Sequence, residues 1–160
     1  MYREIQEIQV ACFRLGVDLY AIDIMRIKEI IRPLKLTCLP RLPDFVEGII
    51  NLRGMVMPVV DLRKRFDLPE IETTSNTRLL IVNLAGQVIA LVVDEVTEVV
   101  TVLVKDIKPP PHLGEGIDVE YLLGVCLVKE EMIMLLNIDS LLSSHETSEL
   151  GNIQGRLKEA

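Results

Sequence analysis

The sequence predicts an all-β fold of two small five-stranded barrels packed together, with only short helices. Three observations lead there. Short runs rich in Val, Ile and Leu, such as Gln9–Leu15, Leu79–Leu84 and Val88–Val93, alternate with turn residues, and that pattern marks strands. The order of features repeats between the two halves of the chain. About five strands per half suffice to close a small barrel, which removes exposed sheet edges.

Taken in order, Gln9–Leu15 is a strand, Gly16-Val17-Asp18 turns the chain, and Leu19–Ile22 returns it. Ile24, Ile27 and Ile31 fit helical spacing, while Ile27, Glu29 and Ile31 fit one strand face. We read a turn at Asp23–Met25 and a strand from about Arg26. Pro40 and Pro43 cannot sit in a central strand, and Pro43 suits a helix start. Asp44–Glu47 is therefore expected to be one helical turn, stopped by Gly48. Ile49–Arg53 and Met55–Val60 form a hairpin around Gly54. Asp61 can cap a short helix, Leu62–Phe66. The polar stretch Leu68–Thr77 is the best internal boundary. Strands follow at Leu79–Leu84, Val88–Val93 and Val99–Val104, then a long loop, Lys105–Glu120, containing Pro109–Pro111. Leu122–Val128 and Met132–Ile138 make the last hairpin. Asp139 is expected to cap a final helix beginning at Ser140, and residues 151–160 to form a flexible tail. The organisation expected is one domain over 1–150. Its subdomains cover about 16–68 and 78–138, with the N-terminal strand and C-terminal helix completing the barrels.

The repeat is ungapped where it is clearest. Gly48–Arg53 aligns on Gly124–Lys129, Met57–Leu62 on Ile133–Ile138, and Phe66 on Leu142. Tyr20–Asp23 likewise resembles Leu91–Asp94. Two barrels in so short a chain cannot each own a large core, so they are expected to share an apolar interface. A groove along that seam would suit an apolar element of a partner.

Composition excludes several functions. The 160 residues are 49% hydrophobic and 26% charged, which is not the make-up of a disordered chain. Lys+Arg 17 against Asp+Glu 24 gives a net charge of −7, so no overall positive field gathers nucleic acid. No run approaches the roughly 20 apolar residues of a membrane helix. Met1–Gln6 lacks the apolar stretch of a secretory signal, so a cytoplasmic location without a longer N-terminal arm is expected. Cys12, Cys38 and Cys126 are odd in number and widely spaced, as small hydrophobes in a reducing compartment would be. His112 and His145 stand alone, with no metal-ligand spacing and no nucleophile beside them. Gly114-Glu115-Gly116 lacks the third glycine of a dinucleotide loop. Asp23, Asp61 and Asp94 suit caps or turns better than paired acid–base chemistry. No enzymatic activity, metal or cofactor is expected.

Gly48-Ile49-Ile50-Asn51-Leu52-Arg53-Gly54, then Pro58-Val59-Val60-Asp61-Leu62-Arg63, closely resembles the signature of the CheW-like coupling proteins of bacterial chemosensory arrays. Phe13–Leu15 before a glycine turn, Leu39-Pro40 with Pro43–Gly48, Val92–Val96, Pro109–Pro111 and Glu120–Gly124 extend the likeness over nearly the whole chain. The resemblance implies two SH3-like five-stranded barrels related by a pseudo-twofold axis, and no catalytic residues. It implies an adaptor linking the cytoplasmic tips of chemoreceptors to the regulatory domain of a CheA-type histidine kinase. Membrane association would then be indirect, through the receptors. A coupler for pilus motility or another chemosensory output is the nearest alternative, and a small-ligand-binding barrel a more distant one.

The resemblance also places Ile27, Glu29, Gly48, Arg53 and Val99 at the groove that takes the receptor tip. Asn51, Leu52, Arg53, Gly54, Pro58 and Asp61 carry the signature. Glu29 is the matching partner for Arg53, whose guanidinium could form a two-bonded pair with it. A solvated charge, worth little, is the alternative. Ile27 and Val99 fit groove or ordinary core equally. Gly48 either ends the helical turn in a conformation closed to other residues or admits a partner. Met25, Met55 and Met57 suit an adaptable surface or plain core. Arg63-Lys64-Arg65 reads as a solvated helix face or a contact for an acidic partner.

Overall fold

The computed structural model describes residues 6–110 and 119–159; Pro111, His112 and the Gly114–Gly116 tip lie outside the described residues. The strands are β1 (Glu7–Leu15), β2 (Asp18–Asp23), β3 (Ile27–Ile31), β4 (Gly48–Leu52), β5 (Met55–Asp61), β6 (Arg78–Leu84), β7 (Gln87–Val93), β8 (Glu95–Leu103), β9 (Leu122–Val128) and β10 (Glu131–Leu136). The helices are α1 (Leu62–Arg65) and α2 (Ser144–Glu159). The strands form two five-stranded sheets, ordered β8-β1-β2-β10-β9 and β3-β6-β7-β5-β4. All neighbours are antiparallel except β2 with β10 and β5 with β7.

The sheets interleave in sequence. Under the repeat, β1, β2, β3, β4 and β5 correspond to β6, β7, β8, β9 and β10. Each half gives its first hairpin to one sheet and its next three strands to the other. The chain crosses between sheets at Asp23–Arg26 and again at Asp94. The polar connection 68–77 therefore joins β5 and β6 within one sheet. In each sheet the outer strands are drawn together by an isolated bridge, Thr37 to Ile49 or Lys108 to Val125, so the sheet curls into a barrel.

The core has three parts. Each barrel holds a small aliphatic interior, one around Cys12, Ala21, Cys126 and Ile133, the other around Ile50, Met57, Leu79 and Ile81. The third and largest part lies between the barrels and is built mainly by the exchanged hairpins β1–β2 and β6–β7, with α1 and the segment after β10. There the rings of Phe13, Tyr20, Phe66 and Tyr121 follow one another at centroid separations of 6.1, 5.8 and 5.5 Å. The seam is thus filled with side chains.

Several local expectations are corrected. Residues 43–47 form a hydrogen-bonded turn, not a helical turn, with Val46 N donating to Pro43 O at 3.0 Å. Strand β8 starts at Glu95, ahead of the expected Val99. Asp139 caps nothing; it pairs with Arg26. Helix α2 starts instead at Ser144 behind a capping box, in which Glu146 N donates to Ser143 Oγ and Ser143 N to Glu146 Oε1. Where a flexible tail was expected, α2 continues to Glu159 and buries Leu150 and Ile153.

Gly48 has no positive φ, so the reading of a conformation closed to other residues does not hold. A Cβ there would lie 2.9 Å from Thr37 O, the carbonyl that bridges to Ile49. Its repeat mate Gly124 is confined likewise, with a Cβ falling 2.6 Å from Lys108 O. The chain's own returning segment occupies the space that a partner was thought to need.

Candidate functional site

The signature hairpin β4–β5 turns at Arg53 and Gly54, with φ of 51° and 88°. Positive φ at both central residues is the turn whose twist suits a two-residue hairpin. Asn51 Oδ1 holds the turn by accepting from Gly54 N at 2.8 Å. This geometry throws Arg53 outward, 69% exposed, and its Nη2 donates to Glu29 Oε2 at 2.6 Å. The pair spans β3 and β4, the two outer strands of one sheet. The other barrel carries a looser counterpart, Lys129 Nζ with Glu98 Oε2 at 3.5 Å.

Of the remaining candidates, Ile27 is half-buried and packs against the shared core, whereas Val99 is 49% exposed on β8 in the other sheet. Gly48 is buried beneath the 37–49 bridge. Pro58 is buried opposite Ile49, and Leu52 pairs with Met55. Asp61 caps α1, its Oδ1 accepting from Arg63 N at 2.9 Å. Burial raises the Asp61 carboxyl above its ordinary value, against the opposing pull of that amide. The structure therefore joins Glu29 to Arg53, while it puts Ile27 and Val99 on separate sheets. Met57 is core, whereas Met25 and Met55 are exposed.

Beside the seam a cleft of about 810 Å³ opens between Phe45, Tyr121, α1 and the start of α2. None of Ile27, Glu29, Gly48, Arg53 or Val99 lines it. Its walls are held by Arg65, which forks onto both oxygens of Glu146 at 2.6 Å and lies over the Tyr121 ring.

Arg63 and Asp94 have a role that the sequence reading did not give them. Arg63 is 9% exposed rather than solvated, and it grips Asp94 at the crossover between sheets. Burial works to raise the Asp94 carboxyl, but Arg63 and the Gly16 amide outweigh it and hold the carboxyl below its ordinary value. The match of Asp94 to Asp23 in the repeat was the available signal that this aspartate has a set place. Burial raises the thiol of Cys12 to about 11, and Tyr20 to about 12, so neither is a reactive group. Among the described residues no cluster could hold a metal ion, and no helix is long and apolar enough to cross a membrane.

Residues 9–146 match the family model of the CheW-like domain. The chain belongs to the CheW-like family. It is 35% identical over 141 residues to the chemotaxis protein CheW of Klebsiella aerogenes, covering 88% of this chain and 85% of that protein. It is 35% identical over 152 residues to the chemotaxis protein CheW of Treponema pallidum, covering 92% and 89%. The crystal structure of the scaffolding protein TtCheW from Thermoanaerobacter tengcongensis superposes with a TM-score of 0.80 at 32% identity, covering 91% of this chain and 94% of that one. CheW-like membership makes this chain a non-catalytic scaffold or adaptor of chemotaxis signalling. That accords with the expected fold and with the expected absence of enzymatic activity.

Proposed function

We propose that this CheW-like chain is a cytoplasmic adaptor that couples chemoreceptor signalling tips to the regulatory domain of a CheA-type histidine kinase. Its exposed receptor contacts are Glu29 and Arg53 on one barrel and Val99 on the other, and Ile27 and Gly48 support the first of these from beneath. One observation carries the reading. Arg53 is a non-glycine residue at φ 51° whose side chain is 69% exposed and paired with a partly exposed glutamate. Such backbone placement costs about 1 kcal/mol or more, and a solvated ion pair returns only about 0–1 kcal/mol. The hairpin turn sets this backbone, as it does at Ala85 and Lys129, but it does not ask for an arginine, whereas a displayed guanidinium fork is well suited to a partner's carboxylate. An adaptor of this kind transmits a signal only through the difference between its contacts with the two signalling states.

The test is co-purification with a receptor signalling fragment and a kinase regulatory domain. Val99→Arg and Arg53→Ala alter exposed side chains and leave the core intact. Each is expected to lose the receptor fragment. Undiminished receptor capture by both folded variants overturns the surface assigned.

A further inference from the structure

A cavity of about 380 Å³ lies between the end of β3 and the turn that leads into β6, on the sheet that also carries the signature hairpin. Arg32, Pro33, Thr73, Thr74, Ser75 and Arg78 line it. In a chain of net charge −7, this lining holds two arginines, three hydroxyls and no carboxylate. The register Ile30–Leu80 and Ile31–Leu79, continued by one residue, sets Arg32 directly opposite Arg78. Like charges facing each other across an antiparallel pair repel. The fold does not require this, because the repeat places Leu103 and Glu7 at the same facing positions in the other sheet.

The turn side of the cavity is already ordered. Arg78 Nη1 donates to Ser75 O at 2.9 Å and to Thr77 O at 2.7 Å. Thr74 N donates to Thr77 Oγ1, and Asn76 N to Thr74 Oγ1, at 2.9 and 3.1 Å. Arg78 is thereby fixed by one nitrogen, and the rest of its guanidinium has no bond to the protein among the described residues. Arg32 is exposed, and its side chain makes no hydrogen bond or ion pair among the described residues.

We propose that this cavity binds a phosphoryl group. Two guanidinium forks and the hydroxyls of Thr73, Thr74 and Ser75 offer more donors than the two oxygens of a carboxylate accept. A phosphoryl group presents three strong acceptor oxygens and close to two negative charges. Placed between Arg32 and Arg78 it relieves their repulsion, and the cavity has room for the atoms that carry it. The group comes either from a phosphorylated side chain of a partner or from a small free phosphate. The inference does not depend on the adaptor reading.

The test is an NMR titration of the full, nitrogen-15-labelled chain with inorganic phosphate, against chloride at matched ionic strength. The expected result is saturable shifts confined to the amides of Arg32 and residues 73–78. Arg32→Gln, which breaks no bond of the fold, is expected to weaken phosphate binding about tenfold or more, as loss of a charged hydrogen-bonding fork does. A short phosphoserine peptide serves as the second arm. Tighter binding than inorganic phosphate identifies a protein-borne group, and equal or weaker binding a small free phosphate. The proposal fails if phosphate shifts nothing beyond chloride, if acetate binds equally well, or if Arg32→Gln leaves the titration unchanged.

Discussion

Arg63 forks onto Asp94 across the point where the chain leaves one barrel for the other. Its Nε donates to Asp94 Oδ1 at 2.7 Å and its Nη2 to Oδ2, with the side chains only 11% and 18% exposed. Asp94 Oδ2 also accepts from Gly16 N at 2.7 Å, so the carboxylate ties α1 to the tip of the opposite barrel's first hairpin. The other crossover is tied in the same way with the charges reversed. Arg26 pairs with Asp139 at 2.7 Å and donates to Asn83 O of β6 at 3.1 Å. The repeat aligns Arg63 with Asp139, so the two halves reach one mechanical solution with opposite charge order. The second copy is wetter, at 34% and 64% exposed.

That difference in burial ranks the two clamps. Removing one partner of a buried pair leaves an uncompensated charge, at a cost of about 3–5 kcal/mol. Arg63→Ala is therefore expected to lose about that much in urea unfolding, and Arg26→Ala clearly less. Asp94→Ala combined with Arg63→Ala should cost much less than the two singles added, because both remove the same bond. Equal losses for Arg63→Ala and Arg26→Ala would show that burial does not set the strength of these clamps.

The clamps also set the response to acid. Asp94, Asp139 and Glu146 all have carboxyls held below their ordinary values, each by an arginine. A carboxyl whose folded value is lowered adds stability that is complete above its unfolded value, about 4, and is lost as pH falls through the folded one. Stability should thus be flat near neutrality and fall below about pH 4. Asp94→Asn should be less stable at pH 7 and flatter through the acid range. Asp61, raised by burial, works with the opposite sign. Asp61→Asn, which keeps a capping side chain, should steepen the acid fall. A parallel pH profile for Asp94→Asn would remove Asp94 as a source of the acid response.

The repeat was legible because hairpin glycines and alternating strands leave a local pattern, and so was the seam core, because two small barrels need one. Which strand pairs with which was not legible: Ile27 has the same alternation whether β3 stays with β2 or crosses to β6. A C-terminal helix was expected from Ser140, but its continuation past Gly151 was not legible, because Leu150 and Ile153 are its buried contacts in an otherwise polar stretch containing Gly151 and Gly155. Arg63 was missed because a buried arginine and a solvated one look alike in Arg63-Lys64-Arg65. The pairing of Glu29 with Arg53 entered through family resemblance, since nothing local relates residues 24 positions apart.

Glycine substitutions should divide by sign. Gly48→Ala drives a methyl toward Thr37 O at 2.9 Å, and Gly124→Ala one to 2.6 Å from Lys108 O. Both contacts are backbone in a bridging segment, so each is expected to cost about 1–3 kcal/mol. In Gly155→Ala the added methyl meets nothing within 4 Å on helix α2, and stability should rise by about 0.5–1 kcal/mol. Chemical unfolding of the three variants checks the signs. Loss of stability in Gly155→Ala would mean that the helix does not persist in solution.

Arg53 offers a way to separate folding from partner capture. Arg53→Gly removes an exposed pair worth about 0–1 kcal/mol. It also relieves the left-handed backbone at φ 51°, which glycine adopts freely. The two effects are of similar size and opposite sign, so the variant should unfold within about 1 kcal/mol of the parent. Receptor capture should nevertheless fall, since the displayed guanidinium is gone. Arg53→Lys keeps the charge but not the fork, and should recover capture only in part. Glu29→Gln leaves Arg53 in place and unpaired, and should keep more capture than Arg53→Gly if the arginine is the contacting group. If Glu29→Gln abolishes capture while Arg53→Gly retains it, the glutamate is the contact and Arg53 is dispensable for it.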